Sequence, residues 1–156
     1  MSLEEAGQVS PLMSDQVLID TGILIRYLRG TRAAINLFKM LYSRDIELVI
    51  SSISALEVYI GMKDDPDEVR TTETFLSSFK ILGVDREVAR KAAFLVRRYP
   101  HLFGRVVARG TADALILATA WEADCAFHTL NTRHFAREQI PEVEIHAIDQ
   151  RARVWT

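Results

Sequence analysis

Apolar positions along this chain fall into two alternating periods. Short continuous runs rich in β-branched residues alternate with longer stretches in which apolar residues recur three and four apart. Val17-Leu18-Ile19 is the first run and reads as a buried strand. Asp20 ends it, and Ile23, Leu24, Tyr27 and Leu28 then form a helical stripe. A second helix is expected over residues 32–43, where Ala33, Ile35, Leu37, Phe38 and Leu41 supply the apolar face. The run at 47–51, ELVIS, predicts a second strand that leads directly into a largely apolar helix bearing Ile53, Leu56, Val58 and Ile60. Gly61 suits its C-terminal end.

Asp64-Asp65-Pro66 predicts a turn with Pro66 at a helix start, and that helix runs to about Phe79. Residues 81–84 form a third strand candidate. Residues 85–99 form an amphipathic helix capped by Asp85. Pro100 to Gly110 is expected to be a loop or irregular segment, and Thr111 to cap a well-buried helix, TADALILATAWEAD. Strands over 126–130 and 144–148 follow, separated by a turn with a short helical piece at 131–136. The alternation predicts an α/β fold whose mainly parallel sheet of four or five strands is covered by helices on both faces.

The 156 residues fit a single domain, placed at 17–150, with no internal repeat or linker. Residues 1–16 read as a polar arm or vector-derived residues, and 151–156 as a tail. With 49% hydrophobic and 26% charged residues, the composition is that of an ordinary globular protein. No apolar run approaches the ~18 residues of a membrane span. The start has neither a basic region nor an apolar core of the secretory kind. The single cysteine, Cys125, excludes an internal disulfide and fits a reducing, cytoplasmic setting.

A net charge of −2 argues against bulk, non-specific nucleic-acid binding but leaves room for a local groove. Basic residues cluster at Arg26, Arg29 and Arg32, at Arg86, Arg90, Lys91, Arg97 and Arg98, and at Arg105 and Arg109. The middle group is most simply the solvated face of a helix.

Chemistry enters with Asp20, Glu57, Asp113 and Asn131. In a parallel sheet, residues that follow strands leave by the same edge, where α/β proteins bind ligands. Each has a plain structural explanation. Asp20 can be an N-cap, Asp113 can answer a helix dipole in the first turn, and Asn131 can be a turn residue. Glu57 is too deep in its helix to be a cap. With Ile53 and Ile60 on its face, it needs a partner unless it lies at a partly exposed rim. Two carboxylates about 4 Å apart repel by roughly 4 kcal/mol at the effective dielectric of a partly buried site. Such a cluster therefore calls for a divalent cation, and oxygen donors favour Mg²⁺ or Mn²⁺ over zinc.

With these residues in view, the sequence resembles the PIN-domain nucleases, and within them the VapC-type ribonuclease toxins of toxin–antitoxin pairs. VLIDTGILIRYLRG is similar to the family's opening motif, with its acid at Asp20 and Thr21 beside it. SSISALEVYIGM resembles the second motif, with Glu57, and GTADALILATAWE the third, with Asp113. HTLNTRHF resembles the fourth, in which Thr129 precedes Asn131 and an aromatic follows at Phe135. The resemblance spans about 17–148. It implies a three-layer α/β/α fold, Mg²⁺- or Mn²⁺-dependent hydrolysis of RNA, a homodimer and a small antitoxin partner. Asp20, Glu57 and Asp113 would be its catalytic acids, with Asn131 as a fourth metal ligand and Thr21 and Thr129 in support. Asn131 departs from the four-acid pattern, so a second metal should bind weakly. Arg26, Arg29, Arg105 and Arg109 are expected at RNA phosphates because they lie near the acids in sequence.

Asp20-Thr21-Gly22 also spells the aspartic-protease tripeptide, but those enzymes are β-rich and a helix follows here. Histidines 101, 128, 134 and 146 have no zinc-type spacing and read as surface or structural residues. No glycine-rich phosphate loop or nucleophile elbow is present. The alternative from another class is a non-catalytic PIN-like scaffold that binds RNA or protein. Asn131 favours that alternative, and the three acids oppose it.

Overall fold

The computed structural model describes residues 15–104, 107–135 and 140–148. Most of the N-terminal arm and the whole of the 151–156 tail therefore lie outside the described residues. Five strands, β1 (Gln16–Ile19), β2 (Glu47–Ser51), β3 (Lys80–Leu82), β4 (Ala126–Thr129) and β5 (Ile145–Ala147), form one sheet in the order β3-β2-β1-β4-β5. Every pairing is parallel.

The apolar runs are continuous because the sheet is buried on both faces. Leu18 of β1 enters one core, with Val88, Leu95, Leu117 and Phe127, while its neighbours Val17 and Ile19 enter the other. The first core lies under α5 (Arg86–Arg98), α6 (Pro100–Phe103) and α7 (Val107–Glu122). The second lies under α1 (Thr21–Leu28), α2 (Arg32–Ser43), α3 (Ser52–Gly61) and α4 (Pro66–Ser77). A short α8 (Thr132–Phe135) follows β4. The expected three-layer α/β/α architecture, with a five-stranded parallel sheet, is the one observed.

Local signals explain the boundaries. Asp65 accepts the Asp67 N–H at 3.4 Å and Pro66 opens α4, while Asp85 caps α5 by accepting the Val88 N–H at 2.9 Å. Ser51, the last residue of β2, accepts the Ile53 N–H at 3.1 Å, so strand passes into α3 without a loop.

Three expectations need correction. The segment 100–110 is not all loop: it contains α6, and α7 begins at Val107 rather than after a Thr111 cap. Gly110 misleads because it lies inside the helix, where a Cβ would collide with the Phe103 carbonyl. Asp113 is consequently beyond the first turn. The apolar face of α3 is also only partly buried, with Val58 inside but Leu56 and Ile60 53% and 74% exposed. Finally, the third strand is a short edge, with Ile81 exposed and Val84 beyond its end.

Candidate active site

β1 lies between β2 and β4, and the chain leaves it in opposite directions to build the two halves of the sheet. The crevice beyond the C-terminal ends of β1 and β4 is therefore the topological switch point. Asp20 stands there, its backbone N–H bonded to the His128 carbonyl at 3.0 Å. Its carboxylate is tied on both oxygens. Oδ1 accepts the Thr21 N–H at 2.8 Å at the start of α1, and Oδ2 accepts the Thr129 hydroxyl at 2.7 Å. The cap role considered for Asp20 is thus present, and it fixes the carboxylate at the crevice.

Glu57 arrives from the second turn of α3. Its Oε1 lies 3.0 Å from Thr21 Oγ1, so Thr21 touches one acid through its main chain and another through its side chain. Glu57 sits half-buried at the pocket edge instead of on a sealed apolar face, because Ile60 turns to the exterior. Asp113 arrives from α7 and is also half-buried. The dipole effect fades within the first turn. Its placement here follows instead from the packing of α7 against the sheet.

Asp20, Thr21, Glu57, Asp113 and Asn131 line one open cavity of about 350 Å³, walled by Gly22, Ile25, Arg26 and Leu130. The four chain-distant groups expected together are together. Arg26 joins them. Arg29 instead lines the neighbouring groove with Ile25, Leu28, Val58 and Met62. Arg105 lies outside the described residues, as does the side chain of Arg109.

The acids act on one another electrostatically. Burial raises the Asp20 carboxyl above the ordinary range; the bonds from Thr129 and Thr21 oppose this, and the Glu57 charge adds to it. Asp113 is pushed up to about 6, mainly by burial and then by the charges of Asp20 and Glu57. Like charges held this close, with burial already against them, form a site that gains from a cation. The donor set fits one: carboxylate oxygens plus the amide group of Asn131 on the cavity lining, with no sulfur or imidazole. Among the described residues no three acidic, histidine or cysteine groups already stand as a closed cage, so ligation requires side-chain adjustment.

Ser54 was not anticipated. It is fully buried in α3, with its hydroxyl 2.8 Å from Thr21 Oγ1. Its position three residues before Glu57 on the same helix face was the available signal. The histidines hold no metal cluster among the described residues. His128 is buried against the His146 ring, with centroids 4.8 Å apart. Burial and that neighbour lower it to about 4, which makes it a neutral structural group.

A profile of the PIN domain family matches residues 17–139. Ribonuclease VapC10 of Mycobacterium tuberculosis is 35% identical over 119 residues, 76% of this chain and 85% of that protein. Ribonuclease VapC19 of the same organism is 35% identical over 120 residues, 76% of this chain and 90% of that protein. A solved toxin-antitoxin complex from Klebsiella pneumoniae superposes with a TM-score of 0.66 at 32% identity, covering 85% of this chain and 99% of the matched one. The Rickettsia felis VapBC2 structure, bound to a promoter DNA fragment, gives a TM-score of 0.70 at 20% identity over 86% and 99%. It speaks for the fold alone.

Proposed function

The chain belongs to the PIN-domain family, and from that premise we propose that it is an endoribonuclease toxin of a toxin–antitoxin pair, cutting RNA phosphodiester bonds with Mg²⁺ or Mn²⁺. The observation that carries this is the gathering of Asp20, Glu57 and Asp113 around one open cavity at the switch point. The two relatives named as ribonucleases cover most of the chain.

Asp20, Glu57 and Asp113 would hold the cation, with Asn131 offering a neutral fourth oxygen. When bound, such an ion activates water and offsets charge on the phosphate. The protein's own part is orientation. Thr129 and the Thr21 main chain fix Asp20, leaving lone pairs on both its oxygens. The Thr21 hydroxyl holds Glu57 beside it. Asp113, easily protonated until a cation arrives, couples ion binding to proton release. Arg26 lines the cavity wall, which supports reading it as a contact for an RNA phosphate. With three carboxylates instead of four, a second cation would bind weakly or enter with substrate.

The groove lined by Ile25, Leu28, Val58 and Met62 shares Ile25 with the acid cavity and offers an antitoxin segment a mainly apolar seat. The resemblance also carries a homodimer, which light scattering on the purified chain tests. No helix among the described residues is long and apolar enough to cross a membrane. A toxin acting on cellular RNA would work in the cytoplasm.

The test is incubation of antitoxin-free protein with pooled tRNA, rRNA and mRNA in Mg²⁺, Mn²⁺ or EDTA, beside Asp20→Asn. Metal-dependent cutting lost in the variant supports the nuclease. Binding without cutting, across metals and RNAs, would favour the scaffold reading that Asn131 keeps alive.

A further inference from the structure

We infer that Ser54 is a positioning residue that presents Glu57 to the cation by fixing the hydroxyl of Thr21. The inference rests on the metal-dependent reading above and goes beyond it by adding a residue outside the four acidic-motif positions.

Hydrogen counting supports it. Thr21 Oγ1 lies 2.8 Å from Ser54 Oγ and 3.0 Å from Glu57 Oε1. A hydroxyl has one proton to give and two lone pairs to receive with, whereas an ionised carboxylate only accepts. The Thr21 proton therefore goes to Glu57, and the Ser54 proton goes to Thr21. Ser54 is 0% exposed and Thr21 6%, so neither hydroxyl can turn to bulk water for a partner. A buried hydroxyl without a partner is costly, which holds the relay in one direction.

The arrangement repeats on the other acid. The Asn131 N–H donates to Thr129 Oγ1 at 3.0 Å, and Thr129 donates to Asp20 at 2.7 Å. Each carboxylate thus receives a threonine hydroxyl that is itself held by a donor behind it. Behind Thr129 the donor is main chain. Behind Thr21 it is the side chain of Ser54, so on that arm the supporting donor itself can be removed by substitution. A packing role predicts something different: Ser54→Ala removes one buried oxygen and leaves the apolar neighbours of α3 in place.

Partners that orient metal ligands are typically worth ~10–100-fold in metal affinity. Titration calorimetry with Mn²⁺ on the full chain should show Ser54→Ala binding roughly tenfold more weakly than wild type. Thr21→Val should lose at least as much, and the double variant no more than Thr21→Val alone, because both changes cut the same relay. Thr21→Ser, which keeps the hydroxyl, should restore most of the affinity. Metal-free circular dichroism and thermal unfolding on the same proteins show that each variant is folded. Wild-type affinity in a folded Ser54→Ala, or losses that add in the double variant, would overturn the role of Ser54 and leave the nuclease reading standing. No Mn²⁺ binding by wild type would overturn both. Should Ser54→Ala fail to fold, Ser54→Cys, nearly isosteric but a weak donor, takes its place under the same criteria.

Discussion

The Thr129 hydroxyl donates to Asp20 Oδ2 at 2.7 Å, joining residues 109 positions apart in the chain across the switch point between β1 and β4. The bond lowers a carboxyl that burial has raised. Thr129→Val keeps the shape and removes the bond. Asp20 should then hold its proton to higher pH, and the rising acid limb of the cleavage profile should move upward. The variant also leaves the Asn131 N–H and a carboxylate oxygen short of a partner, a loss of about 1–3 kcal/mol. A pH–rate profile and a thermal melt check both. An unmoved acid limb would remove Thr129 from the tuning of Asp20.

Asp113 gives the metal-free protein a pH-dependent weakness. Its folded value, about 6, lies above the ordinary 3.8, so between those values the folded state binds more proton than the unfolded state. Stability from this group is therefore present at low pH and is lost as pH rises through about 6. Asp113→Asn should be more stable than wild type by roughly 1–2 kcal/mol at pH 8 without metal, after allowance for partial exposure. The gap should be smaller at pH 5 and close only below the ordinary 3.8. Adding Mn²⁺ should reverse the ranking at pH 8, since ligand at about 100 times its dissociation constant adds roughly 2.7 kcal/mol to wild type. Melts of both proteins at the two pH values, with and without Mn²⁺, provide the check. A variant no more stable than wild type at pH 8 would mean that burial and the neighbouring acids do not raise Asp113 in the folded protein.

Gly110 controls how α7 delivers Asp113. A side chain there would meet the Phe103 carbonyl, so Gly110→Ala must displace either the end of α6 or the start of α7. Overpacking of this kind costs typically 1–3 kcal/mol, and α7 carries Asp113, one of the proposed metal ligands. The expected result is a lowered melting temperature together with weakened Mn²⁺ binding. In an otherwise open helical position, alanine would instead stabilise.

The parts of the site carried by local pattern were legible in the sequence. Val17 to Ile19 reads as a doubly buried strand because all three residues are inside, and Asp20 follows from where that run stops. The passage from β2 into α3, the helix that carries Glu57, was legible from where the run at 47–51 stops. The start of α7 was not, because Gly110 looks like a loop residue until the carbonyl beside it is known. The exposure of Ile60 and the burial of Ser54 depend on which side of α3 meets α1, and a periodicity with apolar residues on both sides does not settle that. Thr21 could be seen as a neighbour of Asp20, but its hold on Glu57 is a tertiary contact over 36 positions.

Arg26 and Arg29 show where spacing alone misleads. Three apart, they should share a helix face. Arg29, however, is the C-cap, where α1 has ended, and it turns into the groove beside α4 while Arg26 stays at the acid cavity. The two arginines should therefore separate RNA from antitoxin. In an Asp20→Asn background, which keeps RNA uncut, Arg26→Ala should weaken RNA binding and reduce the slope of log affinity against log salt by about 1. Mn²⁺ affinity of Arg26→Ala in the wild-type background should not fall, because a cation on the cavity wall repels the ion. Arg29→Ala should leave RNA binding and its salt slope unchanged and weaken the antitoxin, measured by competition with the purified partner. Equal effects of both substitutions on RNA would mean that the phosphate track runs along the whole of α1. No effect of Arg26→Ala would remove the arginine from the substrate path and leave the acids and their threonines as the described part of the RNA site.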